Sequence, residues 1–333
     1  MTTILVTGGA GYVGSVSVAV LRAAGHDVVV LDDLTTGHRA AVAAGARLVV
    51  GDYGDRDLVG RLLAEHGVEA ILHCAARSVV GESASDPGRY YTENVAGGIA
   101  LLEAARAAGV GRFVFSSTAS VYGIPDATPI DEDAPLRPIN PYGETKRALE
   151  AALGWYGRAY GLRSVSLRYF NVAGATEDLG EDHDPETHLI PNVLRAAAGE
   201  GPGLTLFGDD YPTPDGTCIR DYIHVADLAD AHLRAIVATA PGDPRTAEGA
   251  LVCNLANGGG FSNLEVIESA ARVVGHPIPY TVGPSRAGDP PALVASADRA
   301  AAVLGWRPAR PAIDEMIGSA WAWRQAHPAG YAD

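Results

Sequence analysis

The chain has 333 residues, 47% hydrophobic and 20% charged, so it can bury a sizeable core and is not a disordered segment. Its 25 basic and 40 acidic residues give a formal net charge of −15, which offers no footprint for nucleic acid. No apolar run approaches a membrane span, the N-terminus lacks the features of a signal peptide, and Cys74, Cys218 and Cys253 suit neither a disulfide framework nor a metal-binding pair, so a cytoplasmic protein without a metal is expected.

The first half alternates short apolar runs with helical stretches. Strands are expected at Ile4–Thr7, Val28–Leu31, Arg47–Val50, Ala70–Cys74, Phe113–Ser116 and Ser164–Arg168. Between them fall helices at Tyr12–Ala24, Asp57–His66, Pro87–Ala108 and Tyr142–Tyr160. This alternation implies βαβ units, and so an α/β fold with a Rossmann-type doubly wound parallel sheet. After Asn171 the rhythm loosens. Segments 175–187 and 201–218, rich in Gly, Pro and acidic residues, read as loops, and helices return near 189–199, 225–238, 263–274 and 312–326. The boundary is expected near residue 171, with 1–171 as the first unit and 172–333 as a smaller, mixed α/β unit.

Residues 7–14, Thr-Gly-Gly-Ala-Gly-Tyr-Val-Gly, follow the first strand and open a helix. Gly8, Gly11 and Gly14 permit a tight turn and close approach of backbone to a pyrophosphate, and the helix N-terminus turns free N–H groups toward it. Asp32 ends the second strand 18 residues after Gly14. A carboxylate there accepts from a ribose and repels a 2′-phosphate, so NAD is expected over NADP. Asp52 and Tyr53 after the third strand, and Cys74, Ala75 and Ala76 after the fourth, either line that cofactor or simply pack the sheet.

Of the 25 basic residues one is lysine, Lys146, four residues after Tyr142 at the start of a helix. Positions i and i+4 share a helix face. An ammonium beside a phenol, joined by the positive nicotinamide, is expected to bring the tyrosine down toward working pH. Ser116 and Thr118 end the fifth strand, where hydroxyls face the ligand crevice, and Thr118 can hold a substrate oxygen against the phenol.

The glycine turn, the run Ser116–Gly123 and the Tyr142/Lys146 pair resemble the extended short-chain dehydrogenase/reductase superfamily. Val80–Ser83, Arg168–Ala175, Tyr211–Thr217, Arg220–Val225 and Gly305–Pro308 narrow the resemblance to the UDP-glucose 4-epimerases (UDP-galactose 4-epimerases), over essentially the whole chain. The resemblance implies a tightly held NAD, reduced and reoxidised in each turnover, and inversion at C4 of a UDP-hexose through a 4-keto sugar. Tyr142, Lys146 and Thr118 are then catalytic. Tyr12, Val13, Asp33, Asn94 and Tyr169 join the cofactor residues above. The UDP-sugar falls to the second unit: Asn171, His188 and Leu189 at the nucleotide, Leu206 and Phe207 along the uracil, Arg220 and Arg286 at the diphosphate, Asp289 at a ribose hydroxyl. The helix near 225–238 is expected to pack back on the first unit. A homodimer through helices 88–108 and 142–160 is implied as well.

Several positions depart from the family's usual residues. Thr118 stands where many members have Ser, Ser78 where some have Lys near NAD, and His188 where some have Asn. Leu293 stands where certain members carry a large Tyr, which predicts room for UDP-GlcNAc and UDP-GalNAc. Other readings stay open: a 4-epimerase of UDP-glucuronate or a UDP-pentose, a 4,6-dehydratase, or a non-catalytic NAD-binding regulator. The dehydratase needs an acidic pair after Thr118, where Ala119 and Ser120 stand.

Overall fold

Residues 1–201, 203–286 and 289–332 are described by the computed structural model. In chain order the first part runs β1 (Thr3–Thr7), α1 (Tyr12–Ala23), β2 (Asp27–Asp32), β3 (Arg47–Val50), α2 (Arg56–Glu65) and β4 (Ala70–His73). It continues with α3 (Val80–Ser85), α4 (Pro87–Tyr90), a π turn (Tyr91–Gly97), α5 (Gly98–Ala107), β5 (Arg112–Thr118), α6 (Pro141–Tyr160) and β6 (Arg163–Tyr169). Then come β7 (Asn171–Ala173), α7 (Leu189–Ala197), β8 (Leu204–Phe207), β9 (Ile219–Arg220), β10 (Tyr222–His224), α8 (Val225–Ala238) and β11 (Ala250–Leu255). Last are β12 (Phe261–Ser262), α9 (Asn263–Val274), β13 (Tyr280–Gly283), β14 (Ala292–Leu293) and α10 (Ile313–Ala326).

Seven strands form one parallel sheet in the order β11-β6-β5-β4-β1-β2-β3. Both faces are covered, and the two-residue period of a strand sorts its side chains between them. Ile4 and Val6 pack with Val18 and Leu21 of α1 and with Leu228, Ala231 and Ala235 of α8. Leu5 faces the other way, toward Val59, Leu101, Leu149 and Leu153 of α2, α5 and α6. Strand order reverses on either side of β1, which has β2 as one neighbour and β4 as the other. At such a switch point the loops part and leave a crevice beyond the strands' carboxyl ends.

Elements after residue 171 return to this layer. Helix α8 lies against the sheet. Strand β11 was not expected; it pairs with β6 from Ala250–Ser164 to Leu255–Tyr169. Trp306, fully buried, joins the same core and donates from Nε1 to the Asp227 carbonyl at 2.9 Å. Assigning all of 172–333 except α8 to a second unit therefore misplaces β11 and Trp306. What remains around α7, α9 and α10 has its own core, with Ile190, Val193, Val266, Met316 and Ile317. Its sheets are small, pairing β7 with β10, β8 with β13, and β9 with both β12 and β14. The stretch 201–218, expected as loop, contains β8. Its Leu-Thr-Leu-Phe run is short and sits among glycines, and its parallel partner β13 lies more than 70 residues away.

Candidate active site

The glycine turn after β1 carries two different steric demands. Gly8 has φ +70°, and a Cβ there would meet the Ala75 nitrogen at 2.5 Å. A Cβ on Gly14 would lie 1.9 Å from the Gly8 carbonyl oxygen. Both glycines are thus fixed by how the turn closes. Gly11 is not: its Cβ would meet only that same oxygen, at an ordinary 3.5 Å, and its φ of −80° suits any residue. A side chain at Gly11 would enter only the space above the turn. The first intrahelical bond of α1 runs from Ser15 to the Gly11 carbonyl at 2.8 Å, so the N–H groups of the preceding turn face that space. No side chain caps them, and no acidic residue occupies the first turn. A phosphate group fits this cradle by charge and by shape.

Asp32 closes the other side. Its Oδ2 accepts from Ala10 N and its Oδ1 from Leu34 N, both at 2.9 Å, leaving a further lone pair on each oxygen. Burial raises its pKa, and these two hydrogen bonds act against the rise. Ala75 sits over Gly8, its N–H bonded to the Thr7 carbonyl at 3.1 Å. The other residues expected here divide. Asp33 and Asp52 tie local turns through Thr35 N and Gly54 N at 2.9 and 2.7 Å. Tyr53 donates to the Glu93 carbonyl at 2.8 Å and lies edge-on to the buried His73 ring. Asn94 spends its amide on the chain itself: it clasps Arg77 N and O at 2.8 and 3.0 Å and donates to Thr145 Oγ1 at 3.1 Å. Its side chain fastens the loop after β4 to α6. Tyr12 likewise reaches away from the turn, donating to the Gly174 carbonyl at 2.5 Å.

The predicted test of the cradle uses two alanines. Gly11→Ala should keep the wild-type unfolding midpoint and bind NAD about tenfold or more weaker. Gly14→Ala should lose roughly 1–3 kcal/mol of stability by overpacking. Thermal unfolding and NAD titration read both. Wild-type NAD affinity in Gly11→Ala would remove the cradle's steric basis.

Tyr142, Lys146 and Thr118 come together at the end of β5. Asn140 caps α6 by accepting from Gly143 N at 2.8 Å, and Pro141 starts the helix, so Tyr142 is held in its first turn. Lys146, only 4% exposed, donates from Nζ to the Ser116 carbonyl at 2.8 Å. Burial pushes it down to about 8, against the pull of Cys74 and Glu150. Thr118 accepts from Ser120 N at 3.2 Å. The tyrosine differs from expectation. Burial raises the Tyr142 phenol above its ordinary value, and its hydrogen bond with Thr118 is what pulls it the other way. The Lys146 ammonium lies 5.9 Å from the Tyr142 ring centre and is directed at the Ser116 carbonyl.

Behind this group is a polar chain that the sequence did not reveal. Ser116 Oγ donates to Cys74 Sγ at 3.3 Å and meets His232 Nε2 at 3.0 Å. The other ring nitrogen of His232 meets Ser17 Oγ at 2.9 Å. The ring is fully buried and its pKa falls to about 3, so it stays neutral and links α1, β5 and α8. Tyr169, at the end of β6, lies edge-on to it. A second network pairs Arg168 with Glu150 at 2.6 Å, both side chains nearly buried. Arg168 also donates to the Tyr122 hydroxyl at 2.9 Å, and Tyr122 donates to Asn254 Oδ1 at 2.7 Å.

The residues expected at a nucleotide-sugar form a second group. The Arg286 guanidinium lies 4.0 Å over the Phe207 ring centre. Arg220 reaches Asp289 at 3.6 Å and donates to the Pro290 carbonyl at 2.8 Å. Leu293 of β14 is in register with Arg220 of β9. Asn171 opens β7, while Leu206 is buried in β8. Leu189 begins α7 and His188 caps it, but the His188 ring turns to Glu181 and Glu186.

Residues 4–247 match the model of the NAD dependent epimerase/dehydratase family. The chain belongs to this family. Among its relatives, the UDP-glucose 4-epimerase of Streptomyces lividans is 52% identical over 330 residues, covering 99% of this chain and 98% of that protein. The UDP-glucose 4-epimerase of Lacticaseibacillus casei is 50% identical over 333 residues, 99% of each chain. The crystal structure of UDP-glucose 4-epimerase from Bifidobacterium longum in complex with NAD+ and UDP superposes with a TM-score of 0.93 at 38% identity, over 99% of this chain and 100% of that one. As in other members of the NAD dependent epimerase/dehydratase family, the fold here is a Rossmann-type parallel sheet with a smaller mixed unit. Among the described residues no helix is long and apolar enough to cross a membrane.

Proposed function

We propose that this chain interconverts UDP-glucose and UDP-galactose, using NAD to invert C4 through a transient 4-keto sugar. The observation that carries this reading is the meeting of Tyr142, Lys146 and Thr118 beside the phosphate cradle, in a chain half identical over its length to UDP-glucose 4-epimerases.

The residues present fit NAD. Gly8, Gly11 and Gly14 take the pyrophosphate, Asp32 takes a ribose, and Ala75 and Ala76 leave room for the backbone to approach. When bound, NAD supplies a reversible acceptor of the C4 hydride. Tyr142 takes the proton of the C4 hydroxyl, and Thr118 holds the same oxygen against the phenol. Lys146 keeps a positive charge near the ring while its ammonium anchors the Ser116 carbonyl. Tyr142 returns the proton once the opposite face of the 4-keto sugar has been reduced. Arg220 and Arg286 carry the diphosphate, with Phe207, Leu189 and Leu206 about the uracil. Binding is thus concentrated on UDP, and the hexose is left free to turn.

Leu293, in register with Arg220, is smaller than the Tyr that certain members carry, so partial tolerance of UDP-GlcNAc and UDP-GalNAc is expected as well. Two copies pair across α5 and α6, where Trp155 is 65% exposed and Tyr160 59%. The three free cysteines suit the cytoplasm.

Nuclear magnetic resonance of the protein with UDP-glucose, UDP-GlcNAc and UDP-glucuronate in turn reads the C4 configuration directly. UDP-galactose is expected from the first and UDP-GalNAc from the second. Deuterium placed at C4 should stay on the product carbon, and its release to water would overturn hydride transfer.

A further inference from the structure

The loop between β7 and α7 carries a pattern that the proposed reaction does not use. Glu181, His183, Glu186 and His188 fall within eight residues, and one ligand atom from each lies within 4.8 Å of the others. Sequence spacing of the cysteines had suggested no metal, but this group involves none of them. We propose that these four side chains bind one divalent transition-metal ion, zinc by chemical preference, as a clip that fixes the loop.

Geometry and charge support the site. His188 Nδ1 lies 2.8 Å from Glu181 Oε1 and 2.8 Å from Glu186 Oε1. His183 Nδ1 lies 3.1 Å from Glu181 Oε1 and 4.0 Å from Glu186 Oε2. A tetrahedron with metal–ligand bonds of about 2.0–2.1 Å has ligand–ligand edges of about 3.3–3.4 Å, within the observed spread. The two histidines present the same nitrogen, Nδ1, to the two carboxylates. Both carboxylates are sheltered, with side chains 9% and 4% exposed. Two sheltered negative charges on one point call for a cation. One zinc ion with two carboxylates and two neutral imidazoles is electrically balanced, and nitrogen with oxygen donors suits that metal.

The position explains what the clip would do. Tyr12, on the glycine turn, donates to Gly174 at the start of this loop, and its ring stands edge-on to His183 at 6.4 Å. His188 caps α7, whose first residue is Leu189. The ion would brace the span from the glycine turn to the start of α7. With four protein ligands the tetrahedron is closed, so the ion is structural and takes no substrate. This holds whether or not the proposed reaction is correct.

Full-length protein stripped with a chelator, equilibrated with zinc chloride and desalted is expected to hold about one zinc per chain by mass spectrometry of the metal. The Glu181→Gln/His183→Ala variant, checked for folding by circular dichroism, should retain about a tenth of that or less. X-ray absorption at the zinc edge of the wild type reads the ligands without any variant. A nitrogen and oxygen shell with imidazole scattering supports the clip. Sulfur in the shell, a fully hydrated ion, a wild type that keeps no zinc, or a folded variant that keeps as much would overturn it, leaving an ion cluster closed by protonated histidines.

Discussion

Tyr142→Phe is expected to lower kcat by roughly 10²–10⁴-fold, the range of a lost general acid–base group, while NAD and UDP stay bound. The substitution removes one oxygen and keeps the ring, so α6 and the hydrogen bond from Lys146 to Ser116 should survive. Binding titrations and a coupled assay for UDP-galactose separate the two effects, and full activity in the variant would end the assignment of Tyr142 as the base. The raised phenol gives a second readout. Without cofactor, ultraviolet titration of Tyr142 should have a midpoint above its ordinary value of 10.0, because burial outweighs the Thr118 hydrogen bond. With NAD bound the midpoint should fall, since a positive charge beside a phenol favours the phenolate. The cofactor's charge is therefore expected to add to that of Lys146, whose ammonium also holds β5 in place.

The largest loss of stability is expected from Glu150→Ala. Glu150 is the counter-ion of Arg168, and their side chains are 6% and 5% exposed. Removing the carboxylate leaves a guanidinium buried without a countercharge, at a cost of about 3–5 kcal/mol. The double replacement Glu150→Leu/Arg168→Met should recover much of that, because no lone charge remains. Urea unfolding of the single and the double variant checks this. Equal losses in Glu150→Ala and in the double variant would show that packing, not charge, accounts for the cost. Activity should fall with stability, since Ser117 also donates to Glu150, at 2.5 Å, one residue before Thr118.

What the sequence made legible was local. Glycine spacing, the Asn140-Pro141 entry to α6 and the i, i+4 pair of Tyr142 and Lys146 all lie within a few residues of each other. The apolar runs of the first half were legible as well, because a strand buried on both faces is apolar throughout. The family's patterns added the second group of residues, in which Arg286 lies over Phe207 and Leu293 is in register with Arg220. Where partners are distant the sequence was silent. Ser17 and His232 are 215 residues apart, and nothing in either neighbourhood marks the other. Helix periodicity put Lys146 on the face of Tyr142 but could not say that its ammonium ends on a strand carbonyl. Asn94 matched a cofactor position, yet its amide is consumed by Arg77 and Thr145. Strand β11 is not legible in the sequence, because six residues between two loops carry little signal until β6 is there to receive them.

The late arrival of β11 bears on how the molecule is made. During synthesis β6 must wait more than 80 residues for the strand that covers its edge. Until then its outer row of amides and carbonyls is open to any extended chain nearby. A product truncated after residue 240 would keep that open edge for good, and would also lack Trp306 from the core beneath. Such fragments should cling to one another, and the sheet is finished only once Leu255 has been added.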